Sequence, residues 1–386
     1  MIKRNIVFPA GTFFLFGPRG SGKSYWLKHA YAASMSYIDL LESRTFNRLS
    51  ADPQRLLEYV PKGDTAPIIV DEIQKIPALL DEIHRLTEQN KNFLFILTGS
   101  SPRKLRRTSS NLLGGRASTC HFHPLTAMEL AGDFELSKAL THGLLPTIYD
   151  SEKEVNPDKY LDGYIEAYLK EEILQEGLTR NISAFNRFLE AASFSQGEVL
   201  NVTQVARECS IHRKVVESYF QILEDLLIGY RIPVFTRKAK RRLIQHSKFY
   251  FFDTGVYRAI RPKGPLDTPE LIDGAALETL VLQNLRAYID NHNLKYTIHF
   301  WRTISGNEVD FILYGDDGLV ALEIKRKKVI TKKDLSGLRS FKQDYPAAKS
   351  ILLYGGDKHL QIDETRVLPI DYALSNLDDL LKPIGS

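Results

Sequence analysis

The sequence predicts a mixed α/β chain in several units, and three observations carry that reading. Residues 1 to about 125 alternate short apolar runs (TFFLF, APIIVDE, FLFILTG, STCHFHPL) with helical stretches (SYWLKHAYAA, ALLDEIHRLTEQ), the rhythm of a buried parallel sheet with crossover helices. From Thr126 to about Phe194 the β-type runs vanish, and KYLDGYIEAYLKEEILQ and SAFNRFLEAASF are apolar on one helical face. Beyond Gly264 a helix, GAALETLVLQNLRAYI, precedes the strands TIHFWRT, EVDFILY and LVALEIK, then another helix and the strand SILLYG, a second α/β module. A chain of 386 residues exceeds what one hydrophobic core supports.

The first strand, TFFLF, runs into Gly17-Pro18-Arg19-Gly20-Ser21-Gly22-Lys23-Ser24, a full match to G-x-x-x-x-G-K-[ST], and a helix leads out through Tyr25. Glycines let backbone N–H groups curl round phosphate oxygens, and the helix N-terminus adds its positive dipole end. Gly17 through Tyr25 are therefore the candidate nucleotide-binding residues, with Lys23 reaching the β and γ phosphates of ATP and the Ser24 hydroxyl on Mg²⁺. The apolar run Ile68-Ile69-Val70 ends in Asp71 and Glu72. Asp71 suits the Mg²⁺ shell and Glu72 the activation of the attacking water; turn chemistry is the alternative for two acids at a strand end. FLFILTGSS closes its strand with Thr98, Ser100 and Ser101, any of which offers a hydroxyl to the γ-phosphate or the lytic water.

GPRGSGKS, IIVDEIQKIP, LTGSS and LLGGRASTCHFHPLTAMEL together resemble the AAA-type ATPases of bacteria and archaea in which an uncharacterised, nuclease-like C-terminal domain follows the ATPase core. The resemblance covers nearly the whole chain and is strongest in its first third. It implies an AAA+ P-loop core with Asp71 and Glu72 as Walker B, a sensor within Thr98 to Ser101 with Thr98 and Ser100 the candidates, and an arginine finger. Arg116, just before STCHFHPL, stands at the finger position, with Arg103, Arg106 and Arg107 in competition. Such fingers act on a neighbouring subunit, so a homo-oligomer is implied.

Residues 200 to 255 read as two short helices, TQVARECS and HRKVVESYFQILEDLL, then IGYRIPVF, a basic run and KFYFFD, the order of a winged helix. Val205, Ala206, Val215, Val216, Tyr219, Phe220 and Leu223 fall at the spacing of an inner face, and Arg213 and Lys214 point outward. The run TRKAKRRLIQHSK carries Arg237, Lys238, Lys240, Arg241, Arg242 and Lys248 without an acid, a set able to neutralise phosphates where a wing would lie. Glu217 among the outward positions, and no aromatic among the cations, favour phosphate contact over base reading. A solvated charge run or a protein-binding module is the alternative.

In the last module Asp310 opens one strand, Glu323-x-Lys325 lies in the next, and Glu278 sits on the preceding helix. In a hairpin the acids converge at one edge, and Glu323 and Lys325 share a face. Two carboxylates suffice for Mg²⁺, and a lysine beside them assists water or phosphorane charge. The order resembles that of the PD-(D/E)XK nucleases, although Glu308-Val309-Asp310 replaces the leading Pro-Asp. The expected architecture is an AAA+ P-loop core with a parallel sheet (1–125), a helical subdomain (126–198), a winged helix (199–262) and a restriction-endonuclease-like α/β domain (263–386), with PKGP at Pro262 to Pro265 as the linker.

Composition is that of an ordinary folded protein, 43% hydrophobic and 25% charged, and a net charge of +4 does not by itself announce nucleic acid. Cys120 and Cys209 lack companions at metal spacing, which suits reduced thiols, and no apolar run approaches the roughly 18 residues of a membrane span. A cytoplasmic ATP hydrolase with ATP and Mg²⁺ as cofactors, DNA as partner and no membrane contact is therefore expected. A nucleotide-operated scaffold whose C-terminal domain cuts nothing and a nucleotide-responsive transcription regulator are the competing expectations.

Overall fold

The computed structural model describes residues 2–30, 36–60, 67–103, 105, 117–151, 154–169, 181–237, 241–262, 264 and 269–381. Arg106, Arg107, Arg116, Lys238 and Lys240 lie outside the described residues.

Strand β1 (Phe13–Phe16), helix α1 (Lys23–Ala30), β2 (Ser36–Asp39), α2 (Ser43–Ala51), β3 (Ile68–Asp71), α3 (Leu79–Gln89), β4 (Phe95–Gly99) and β5 (Ser118–His121) build the first unit. Its sheet runs in the order β2-β3-β4-β1-β5 with every pairing parallel. FFLF is buried on both faces because strand side chains alternate. Phe13 and Leu15 pack with Leu27 of α1, while Phe14 and Phe16 pack with Ile38, Val70 and Ile83.

The helices α4 (Ala127–Leu130), α5 (Leu136–His142), α6 (Pro157–Gly163), α7 (Ile182–Ser193), α8 (Val202–Cys209) and α9 (Arg213–Asp225) follow, then the antiparallel pair β6 (Gly229–Ile232) and β7 (Lys248–Phe251) and helix α10 (Thr254–Ile260). Helix starts coincide with side-chain caps. Thr126 and Glu129 form a reciprocal capping box, and Asn156, Asn181, Asn201 and Asp253 each accept a backbone N–H of the first turn. Phe185, Phe188, Val216, Tyr219, Phe220, Phe249 and Phe251 share one core. Val215 departs from the expected inner face, with 38% of its surface exposed; adjacent helical residues lie about 100° apart, and Val216 with Ile222 takes the inward positions. Lys248 also departs from the exposed basic run. It lies in the wholly buried strand KFYF, 3% exposed.

Helix α10 crosses α5 at a close backbone approach. A methyl group on Gly255 would stand 2.1 Å from the His142 carbonyl oxygen. Gly255→Ala is therefore expected to lower stability by about 2–3 kcal/mol, read as a lower midpoint in urea unfolding.

The long helix α11 (Pro269–Asn291) precedes β8 (Tyr296–Arg302), β9 (Glu308–Gly315), β10 (Gly318–Lys325), α12 (Ser336–Asp344), β11 (Lys349–Tyr354), β12 (Leu360–Ile362), β13 (Thr365–Pro369), α13 (Ile370–Ser375) and α14 (Leu377–Leu381). The sheet order is β12-β13-β11-β10-β9-β8, with β10-β11 and β11-β13 parallel and the rest antiparallel. Leu277, Leu280, Val281 and Leu285 of α11 cover one face with Phe311 and Leu322; Leu338 and Phe341 of α12 cover the other with Trp301 and Ile312. The segment between β6 and β7 is pinned along β8. Phe235 donates its N–H to the Phe300 carbonyl at 2.7 Å, and Leu243 bridges Thr303. Phe235 and Leu243, which flank the described start and end of the basic stretch, thus lie along the edge of the C-terminal sheet.

Candidate functional site

The loop after β1 owes its shape to its glycines. Gly20 and Gly22 have φ of 80° and 87°, a left-handed backbone that side-chain-bearing residues rarely adopt. The helix that follows begins with the Trp26 N–H on the Gly22 carbonyl at 2.9 Å. Lys23 is buried at the loop's mouth, its Nζ donating to the Gly17 and Pro18 carbonyls at 2.5 and 3.3 Å. Arg19 and Tyr25 face outward, and Ser21 is fully buried.

Two distant segments brace this loop. Tyr164 donates its hydroxyl to the Arg19 carbonyl at 2.9 Å, and its ring lies against Gly20. Arg4, 4% exposed as a side chain, pairs with the fully buried Glu129 at 3.0 Å and donates to the carbonyls of His123 (2.6 Å), Pro124 (3.1 Å) and Ser21 (3.3 Å). A lone arginine near an N-terminus gives no sequence signal of such a role.

Parallel pairing of β3, β4 and β1 brings Asp71 and Thr98 beside the loop. Thr98 donates to one Asp71 oxygen and Tyr37 of β2 to the other. Burial, followed by the Asp71 charge, drives the Tyr37 phenol well above the ordinary range, against a smaller opposing effect from the Ser24 hydroxyl nearby. The Ser24 hydroxyl and the Asp71 carboxylate thus both stand near the Tyr37 hydroxyl, and both are oxygen ligands of the kind a hard cation prefers. Glu72 follows with φ 62° and ψ 44°, a strained left-handed backbone for a glutamate. Its carboxylate accepts from Gln74 Nε2 at 2.5 Å, and Gln74 also reaches Ser100 at 3.5 Å. Ser101 accepts the Arg103 N–H at 3.1 Å, and Arg103 pairs with Asp225 at 3.1 Å. Tyr37 and Gln74 went unmarked in the sequence because a tyrosine in SYID and a glutamine in EIQK carry no motif.

Of the basic residues, Arg213, Lys214, Arg237 and Arg242 are exposed. Arg213 pairs with Glu217 one turn on at 3.1 Å, and Arg237 lies over the Tyr314 ring at 4.6 Å. Arg241 is committed to α12, donating to Ser340 at 2.7 Å and to Asp344 at 3.1 Å.

The acids of the last module converge. The β9-β10 hairpin seats Asp310 against the Ile324 N–H (2.8 Å), and Lys325 Nζ donates to Glu323 at 2.5 Å. Glu278 of α11 accepts from the Tyr250 hydroxyl at 2.7 Å. Lys248 enters from β7, its Nζ 2.6 Å from Glu308 and 3.7 Å from Glu278. Arg302 reaches Glu308 at 3.3 Å. Burial opposes the charge on Lys248, yet Tyr250, Glu278, Asp310 and Glu308 around it hold its ammonium above the ordinary range. Burial likewise raises the carboxyls of Glu278, Asp310 and Glu323. Lys248, Tyr250 and Glu308 belong to this cluster only through the tertiary fold.

Residues 10–131 match the profile of an AAA domain. Residues 133–267 and 273–373 match two domains of unknown function, DUF8612 and DUF4143. Uncharacterised proteins of Mycobacterium bovis and Mycobacterium tuberculosis are each 24% identical over 386 positions, covering 98% of this chain and 85% of theirs. A solved structure, the protein VC1899 from Vibrio cholerae, aligns over 96% of this chain and 97% of that one at 12% identity, with a TM-score of 0.24 that carries no argument. Among the described residues no helix is long and apolar enough to cross a membrane. The AAA match falls on the five-stranded parallel sheet and its glycine loop: residues 10–131 are an AAA domain, and the regions that follow match domains of unknown function.

Proposed function

We propose that the chain binds and hydrolyses ATP at the loop of Gly17 to Ser24 and that the nucleotide state repositions a winged-helix and nuclease-like module on DNA. The observation that carries the ATP reading is the glycine loop with Lys23 at its mouth beside an Asp71 carboxylate shared by Thr98 and Tyr37, with Glu72 next in the chain. Ser24 and Asp71 would hold the Mg²⁺ that accompanies the nucleotide, which there neutralises phosphate charge. Lys23 leaves the loop carbonyls to take phosphate oxygens, and Glu72, steered by Gln74, accepts a proton from the attacking water. Coupling is supported by Tyr164, which ties the Arg19 carbonyl to the helices that lead to α8 and α9.

DNA as the partner is supported by Arg213, Lys214, Arg237 and Arg242, exposed on α9 and along the edge of the C-terminal sheet. The test is ATP turnover and DNA affinity in the wild type and in Arg237→Ala/Arg242→Ala. The double variant is expected to bind duplex DNA more weakly, with its log–log salt slope shallower by roughly one for each phosphate that is no longer neutralised. Affinity and slope both equal to wild type would remove the DNA reading while leaving the ATP reading intact. A scaffold role, in which the C-terminal region binds without cutting, is favoured by the ammonium groups seated among its acids. Duplex and single-stranded DNA incubated with the wild type, Asp310→Ala and Glu323→Ala in Mn²⁺ separates the two, since only a nuclease gives cutting that the variants lose.

A further inference from the structure

The acidic cluster between α11, β9 and β10 has the composition of a metal site and a different occupancy of its donors. Glu278, Glu308, Asp310 and Glu323 supply the acids; Lys248, Lys325 and Arg302 supply the cations. A hard dication needs several free oxygens arranged around one point. Here one Glu278 oxygen accepts from Tyr250, one Asp310 oxygen accepts the Ile324 amide, one Glu323 oxygen accepts from Lys325 while its other oxygen is buried without a hydrogen bond, and the two Glu308 oxygens lie against Lys248 and Arg302. Among the described residues no group of three or more His, Cys, Asp or Glu is arranged to hold a metal ion.

Lys248 is the decisive member. Its side chain is 3% exposed, it comes from β7 rather than from the C-terminal sheet, and it is held by acids on two elements, Glu278 of α11 and Glu308 of β9. A fixed positive charge in a poorly solvated cluster repels a dication strongly, because the interaction is little screened there. With Lys325 and Arg302 it offsets most of the acids' charge, which weakens the cluster's pull on a dication.

We propose that the Lys248 ammonium takes the place a divalent cation would occupy, so that the cluster is a metal-free charge lock fastening the β6-β7 hairpin to the C-terminal sheet. This rests on the cluster's geometry and stands whether or not the chain hydrolyses ATP. It makes the C-terminal region a platform to which strand β7 is fastened.

The test uses the nucleotide-free full chain and Mn²⁺ as the probe, with bound metal counted by electron paramagnetic resonance. Wild type and Glu323→Gln are expected to take up the same Mn²⁺. Uptake in the wild type that Glu323→Gln abolishes would overturn the proposal. Lys248→Met is expected to gain an additional bound Mn²⁺ that Lys248→Met/Glu323→Gln lacks, whereas Lys248→Arg, which keeps the charge, gains none. A folded Lys248→Met that takes up no more Mn²⁺ than wild type also overturns the proposal, since Lys248 would then not be what keeps the ion out. Should Lys248→Met fail to fold, the comparison of wild type with Glu323→Gln decides. The ATP site contributes equally to every variant, because Ser24 and Asp71 are unchanged throughout.

Discussion

Glu72→Gln is expected to slow phosphate release from ATP by about 10²–10³-fold, the usual scale for losing a positioned general base, while ATP affinity stays near wild type. Glu72 directly follows the strand that ends in Asp71, and its strained backbone and Gln74 bond fix where its carboxylate stands. Glutamine keeps the shape and the capacity to accept a bond from Gln74, but it takes no proton from water. Lys23→Ala should behave differently, losing affinity as well as turnover, because the ammonium that now rests on the Gly17 and Pro18 carbonyls is the charge that would meet the phosphates. Single-turnover hydrolysis beside calorimetric titration with a non-hydrolysable ATP analogue separates the two. Unchanged turnover in both variants would end the hydrolysis reading, and unchanged affinity in Lys23→Ala would move the nucleotide elsewhere.

The second large effect concerns stability. Arg4→Ala is expected to cost about 3–5 kcal/mol, the range for stripping one partner from a buried ion pair. Arg4 and Glu129 are 4% and 0% exposed, and without the guanidinium the Glu129 carboxylate keeps only the backbone N–H donors of Asn5 and Thr126. Glu129→Gln removes the charge that Arg4 answers while retaining an acceptor. The double variant should therefore be less destabilised than the two single effects added together. Because Arg4 also holds the Ser21 carbonyl, Arg4→Ala should weaken nucleotide binding at temperatures where the chain is still folded. Urea midpoints for the four proteins check the coupling; additive losses would mean that Arg4 and Glu129 act separately.

The phosphate loop was legible because its motif is local: glycines, a lysine and a hydroxyl at fixed spacing, with a strand before and a helix after. The acids at the end of β3 were legible for the same reason, as were the helices, whose apolar residues repeat on one face at helical spacing. The alternation of FFLF into two cores follows from a period of two that any strand imposes. These features depend on separations of a few residues, where backbone geometry leaves little choice.

What the amino-acid sequence determined by itself was thus the kind of elements, their order and the glycine-loop motif that follows the first of them. Only the tertiary structure decided that Arg4 and Tyr164 brace that loop, that Tyr37 and Thr98 share the Asp71 carboxylate, and that Lys248 leaves an apparently solvent-facing basic run to sit among three acids, Glu278, Glu308 and Asp310. Those pairings bridge 17 to 145 positions of chain. Whether a charged side chain meets water or an opposite charge is set by which segments the cores bring together, and no local pattern of residues records it.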